Sequence, residues 1–220
     1  MNYVLELLKP STFQLLWSGL KLTVYISSVS VILSILFGMV LAIIMRNGKN
    51  PIFKWIATIY IEFVRNVPNL LWIFTVFLVF QMKSTPAGIT SFTIFTTAAM
   101  AEIIRGGLNA IGPGQTEAGL SQGFTPVQIM VYIIMPQAIR KMLPAIISQI
   151  VTVIKDTSFL YSVIALQELF GSSQILMGRY FEAEQVFALY LMVALIYFVI
   201  NFAISSLSRY VAKSWASSIE

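Results

Sequence analysis

The chain has 220 residues, 58% of them hydrophobic and 10% charged, with a mean hydropathy of +0.84 and a formal net charge of +5. A soluble domain is nearer half apolar and about a quarter charged, so the composition is that of a membrane protein, one integral domain over residues 1–220 with no room for a separate soluble catalytic domain. With no His and no Cys, the usual zinc, haem and iron–sulfur ligands, disulfides, the thiol nucleophile and the commonest general base are all excluded, which argues against an enzyme.

A helix rises about 1.5 Å per residue and needs about 20 residues to cross roughly 30 Å of hydrocarbon. Five segments meet this requirement, at 17–45, 56–82, 89–111, 142–166 and 186–207, and predict an all-α integral membrane fold. Met1 to Pro10 contain Glu6 and only Lys9, not the basic leader of a cleaved signal peptide, so the first span is expected to stay. The loops after spans one and three, with the C-terminus, carry Arg46, Lys49, Lys54, Arg140, Lys141, Arg209 and Lys213, against Lys9, Lys83 and Arg179 on the other side, where Glu6, Glu168, Glu182 and Glu184 also fall. This asymmetry predicts an external N-terminus and a cytoplasmic C-terminus. The positive charge belongs to topology, since no polybasic run points to nucleic acid.

The second span carries Glu62-Phe63-Val64-Arg65-Asn66-Val67-Pro68. Glu62 and Arg65 are three apart and share a helical face, while Pro68 removes the backbone bond to the carbonyl of residue 64, so a kink or opening is expected there. The third span repeats the spacing in Glu102-Ile103-Ile104-Arg105 and follows it with Gly106 and Gly107, small residues that let another helix approach closely. Each Glu-x-x-Arg pair can neutralise itself within its own helix. Alternatively, the pairs line a polar cavity near mid-membrane, where a charge otherwise costs at least about 2.5–3.5 kcal/mol.

Residues 112–141 form a long polar-bearing interruption between the third and fourth spans. Gly112-Pro113-Gly114 ends the third span, and Gln115 to Gln122 reads as a short helix stopped by Gly123; Thr125-Pro126 then opens a second short helix through Ile134. The fourth span contains Lys155-Asp156-Thr157-Ser158. Asp156 lies about 22 Å along the helix from Lys141, and Glu102 about 20 Å from Gly88, too deep to reach water by snorkelling. Lys155 projects about 100° away from Asp156 around the helix, so the carboxylate needs another partner. A ligand ammonium is one; Arg105 is the other. Arg105 could instead take a ligand carboxylate through its guanidinium fork, and an α-amino acid carries both groups.

Glu117-Ala118-Gly119, then Gly123, then Ile133-x-Met135-Pro136 after nine more residues, resembles the EAA loop of ABC importer permeases, with Gly119 in place of the third Ala and Met135 in place of Leu. The buried clusters are similar to those of the polar amino acid branch of these importers. Glu62, Arg65 and Pro68 match with Asn66 in place of Gly, and Glu102 to Gly107 and Lys155 to Ser158 match throughout. The resemblance covers about residues 17 to 210. It implies a type I ABC importer permease fold, five transmembrane helices with a cytoplasmic coupling-helix loop, in which Glu117, Ala118, Gly119, Gly123, Ile133 and Pro136 engage a separate ATPase. It also implies that Asp156 accepts the ammonium of a polar amino acid, with glutamine, glutamate or aspartate preferred, in a site whose other candidates are Arg105, Glu102, Ser158, Glu62 and Arg65.

The partners so implied are two ATPase subunits, a second permease copy or a homologous one, an extracellular or periplasmic amino-acid-binding protein, and the lipid of the bacterial cytoplasmic membrane. ATP and magnesium would be bound by the ATPase, because the chain has no Gly-x-x-x-x-Gly-Lys-Ser/Thr phosphate loop and is expected to hold no cofactor itself. A secondary carrier driven by an ion gradient, with Glu62, Glu102 or Asp156 binding the ion, is the competing function and predicts uptake without the ATPase. A membrane-embedded enzyme using Ser158 with Lys155 lacks a histidine base.

Overall fold

The computed structural model describes residues 7–48, 50–180 and 182–216; Glu6 and Lys49, both counted in the loop charges, lie outside them. All regular structure among the described residues is helical. Four helices are long and apolar enough to cross a membrane, and a bent pair brings the number to five when it is counted as one broken span.

Helix α1 (Pro10–Asn47) opens on a proline in its first turn and closes with the Gly48 amide on the Ile44 carbonyl, the helix position where proline costs no hydrogen bond. Three residues later α2 (Pro51–Asn66) begins, with the Asn50 side chain accepting from the Ile52 amide as an N-cap. At Pro68 the expected kink is a full break. Val67 is extended at ψ 133°, as a residue before proline prefers, and the continuation, α3 (Asn69–Phe74) with a π-helical turn over Thr75–Val79, leaves at 107° to α2. The Asn66 side-chain amide donates to the Glu62 carbonyl at 2.7 Å, so the residue that departs from the resembled pattern helps to finish the helix ahead of the break.

Helix α4 (Ser84–Asn109) lies at the centre of the bundle, 61% of its most apolar stretch buried. It runs alongside α1, with the Ser30 hydroxyl on the Ile89 carbonyl and the Ser34 hydroxyl on the Thr93 carbonyl, each at 3.2 Å. Small hydroxyl residues allow this close approach and replace hydrogen bonds that lipid cannot supply. Around the seam, Ile26, Val31, Phe92, Phe95 and Met100 form the buried core, joined by Leu160 from the far end of the fourth span.

Helix α5 (Pro113–Ser121) follows, then α6 (Pro126–Gln128), which passes through a π-helical turn (Ile129–Ile134) directly into α7 (Met135–Asp156). The second rod expected in the loop is therefore the cytoplasm-directed start of the fourth span in the predicted topology, not a separate helix. The widened turn sits where Pro136 removes an amide and its ring would meet the carbonyl four residues back. After a turn at Thr157 and Ser158 come α8 (Phe159–Ile164), α9 (Leu169–Met177) and the long α10 (Ala183–Ala216).

Candidate functional site

The charges of α2 and α4 meet in one cluster. Arg105 grips Glu102 with two hydrogen bonds, Nε to Oε1 at 2.9 Å and Nη2 to Oε2 at 2.6 Å, a bidentate fork of the strong kind. The α2 pair is not closed in the same way. Arg65 Nη1 turns across to Glu102 Oε2 at 3.9 Å, and Glu62 lies within electrostatic range of Arg105. Glu102 therefore joins two spans. The side chains of Arg65 and Arg105 remain 47% and 38% exposed, and lipid cannot cover such groups cheaply, so this face belongs to a polar pathway or to another protein subunit.

Asp156 ends α7 and is half-buried. Arg105, the structural alternative to a ligand ammonium as its partner, is engaged by Glu102; the group that reaches Asp156 is the Asn69 amide, donating from Nδ2 to Oδ2 at 3.4 Å. Asn69 is the first residue of α3, so the break at Pro68 delivers it. The sequence offered one signal for this residue, a polar side chain immediately after a helix-breaking proline. The Ser158 hydroxyl donates to the Lys155 carbonyl at 2.9 Å, which commits its proton to the turn after Asp156. The structure thus separates the six candidates into a Glu62–Arg65–Glu102–Arg105 group and an Asp156–Asn69 group, with Ser158 beside the latter.

The loop is built by local chemistry. Gly123 has φ +79°, a left-handed turn that favours glycine, and its amide bonds the Leu120 carbonyl. Thr125 and Gln128 form a reciprocal capping box, with Gln128 N on Thr125 Oγ1 at 3.3 Å and Thr125 N on Gln128 Oε1 at 2.8 Å. Gly119 is buried against the π-helical turn: a Cβ there would lie 2.7 Å from Ile129 Cγ1 and 3.0 Å from Ile133 Cδ1. The loop is tied to the spans by Lys141 Nζ on the Ala110 carbonyl at 2.7 Å and by Gln137 to Gln115 at 3.0 Å. Of the predicted coupling residues, Glu117, Ala118, Gly123 and Pro136 are exposed, Ile133 is half-buried and Gly119 is buried. Leu120, Val127, Val131 and Tyr132 are 53%, 72%, 53% and 68% exposed beside them, an apolar surface of the kind that marks a protein or membrane contact.

One node escaped the sequence reading. Glu168, counted there among loop acids, is fully buried. Its Oε2 accepts from Phe170 N at 3.0 Å, Tyr197 OH at 3.1 Å and Thr23 Oγ1 at 3.2 Å, and its Oε1 from Gly171 N at 2.8 Å. Thr23 Oγ1 in turn accepts from Leu169 N at 3.1 Å. One carboxylate caps α9 and binds it to both α1 and α10. A lone Glu in an apolar stretch carries no pattern from which this could be read.

A helical bundle with membrane-spanning helices, paired charges within them and a structured, partly apolar loop at one end has the architecture of a transport permease. Residues 34–217 match the family of binding-protein-dependent transport system inner membrane components, and the chain belongs to that family. It is 40% identical over 199 residues to the probable glutamine ABC transporter permease protein GlnP of Bacillus subtilis (strain 168), covering 88% of this chain and 90% of the relative. It is 32% identical over 224 residues to the L-cystine transport system permease protein TcyB of the same organism, covering 94% and 93%. A crystal structure of an amino acid ABC transporter with histidines superposes with a TM-score of 0.84 at 30% identity, over 96% of this chain and 98% of that one. The fold is that of a type I ABC importer permease, and the chain is a multi-pass transporter subunit.

Proposed function

We propose that the chain is the permease through which an ABC importer takes up a polar amino acid, with Asp156 as the acceptor for the substrate ammonium. The observation that carries the site assignment is the Asn69–Asp156 contact at the break of the second span. Broken helices near the membrane midplane are where transporters build substrate sites, because unwound backbone and polar side chains can be satisfied there by a ligand. Asn69 leaves acceptor capacity on Asp156 for an ammonium. Arg105 is a weaker partner for the substrate carboxylate, since Glu102 already occupies one edge of its guanidinium.

In this reading the loop from Glu117 to Pro136 docks on a separate ATPase through its exposed apolar residues, and ATP-driven movement of α5 tips the bundle between two access states. Two permease copies, or this chain and a homologue, enclose the pathway along the charged face, with the N-terminus outside and a binding protein delivering substrate there. The names of the relatives, glutamine and cystine permeases among them, favour an amino acid substrate, with glutamine, glutamate or aspartate first. The test is uptake by vesicles holding the chain with its cognate ATPase and binding protein. Uptake that needs ATP and survives a proton uncoupler supports the proposal; uptake without the ATPase, abolished by the uncoupler, would make the chain a secondary carrier.

A further inference from the structure

The seam where α1 meets α10 and α7 is grooved, unlike a smooth lipid-facing wall. A hollow of about 410 Å³ lined by Trp17, Lys21 and Tyr25 shares Val24 and Ile200 with a second of about 430 Å³, which continues past Ile32 and Ile204 to Ile150 and Ile154 of α7. Beyond its lysine head the groove is mainly apolar, with Ser27 and Ser28 the hydroxyl side chains on the wall of the second hollow. It also lies away from the polar side of α7: at 100° per residue, Ser148, Thr152 and Lys155 fall on the opposite face of that helix from Ile150 and Ile154. The groove therefore belongs to the lipid side of the bundle.

Lys21 is the exception on this surface. Its ammonium lies 5.6 Å from the Trp17 ring centroid, and it makes no hydrogen bond or ion pair among the described residues. The side chain points back toward the start of α1, as helical side chains do. Its depth follows from the bonds between α1 and α4. Ser30 pairs with Ile89 and Ser34 with Thr93, so the two helices run in step, and counting back sets the start of α4 at Ser84 level with Tyr25. Lys21 is one turn beyond, where a chain end of α4 and Lys83 mark the polar boundary of that leaflet and where Trp and Tyr belts collect.

We infer that this groove is a binding site for an anionic phospholipid of the leaflet nearest the N-terminus. The headgroup phosphate and its negative charge rest on Lys21, flanked by Trp17 and Tyr25, and one acyl chain lies along Val24, Ile200 and Ile204 toward the membrane centre. Charge complementarity selects the occupant: the groove ends in a lysine that forms no ion pair among the described residues and lies over the Trp17 ring, not in the mixed polar rim a protein partner would need. The site is separate from the substrate pathway and holds whichever way the termini face.

The test uses the full-length chain in vesicles of equal phosphatidylglycerol and phosphatidylcholine, extracted into mild detergent and weighed with its bound lipid by native mass spectrometry. Retention of phosphatidylglycerol should exceed that of phosphatidylcholine about fivefold, the worth of one lysine at an anionic surface, and Lys21→Gln should erase the preference. Equal retention, or a preference that Lys21→Gln leaves intact, would overturn the inference. As a second readout, a variant keeping Trp17 as its only tryptophan should be quenched by brominated phosphatidylglycerol; no quenching by brominated lipid of either headgroup would show that protein covers the groove, and would overturn it equally.

Discussion

Asn69 donates to Asp156 from the first residue of a helix that exists only because the second span breaks two residues earlier, at Val67 and Pro68. Two residues 87 apart in the chain are thereby brought into contact, and the break, usually a cost in a helix, becomes the device that positions a polar side chain beside Asp156. If this contact orients the Asp156 carboxylate for a substrate ammonium, Asn69→Ala should raise the substrate concentration for half-maximal transport about threefold to tenfold, the worth of one ordinary hydrogen bond, as suits a contact of 3.4 Å. Transport assays across substrate concentration check this; an unchanged half-saturation value would remove Asn69 from the site.

The Glu102 cluster predicts an order of effects. Arg105 holds Glu102 by two short bonds, whereas Arg65 reaches it once at 3.9 Å. Arg105→Gln should therefore destabilise the protein more than Arg65→Gln, by about 2–10 °C in Tm for the loss of one charge-assisted pair. Thermal unfolding in nanodiscs measures both, and the reverse order would contradict the assigned geometry.

The loop predicts a separation of folding from coupling. Glu117 is exposed and its carboxylate makes no hydrogen bond or ion pair among the described residues, so Glu117→Arg should leave the Tm of the permease within about 1 °C, as surface changes do, while weakening co-purification of the ATPase. Gly123→Val should do both kinds of harm, because a β-branched residue at φ +79° costs about 1–2 kcal/mol and turns the loop's apolar surface. Equal ATPase capture by all three proteins would show that the loop is not the docking element.

Glu168 predicts a structural lesion without a change of chemistry at Asp156. Removing its carboxylate in Glu168→Ala leaves the Thr23 and Tyr197 hydroxyls and the amides of Phe170 and Gly171 without their acceptor, each buried donor costing about 1–3 kcal/mol. The variant should lose folded yield or show a Tm drop larger than any of those above. A Tm equal to that of the parent would mean that the node does not hold α9 to α1 and α10.

What the sequence made legible was whatever a helix encodes along its own axis. Hydropathy gave the spans, Pro68 the interruption, Gly123 and Thr125-Pro126 the loop's turn and cap, and the three-residue spacing the Glu102–Arg105 pair. Contacts between helices carry no such local period. Arg65 meets Glu102 of the third span at 3.9 Å, Asn69 meets Asp156 across 87 residues, and Glu168 meets Thr23 across 145. Gly119, a departure from the resembled loop, is accounted for by the tight approach of Ile129 and Ile133; for Met135 in place of Leu the structure offers no account.

The role of Asp156 is tested most directly by ATP-dependent uptake of labelled amino acid into vesicles carrying the complete importer, compared between the parent and Asp156→Asn. The substitution keeps size and removes the charge, so half-saturation should rise about tenfold to hundredfold, the loss of one buried charge-assisted contact, with expression and ATPase assembly intact. Uptake by Asp156→Asn with the parent's half-saturation and rate would contradict the placement of the substrate ammonium at this carboxylate.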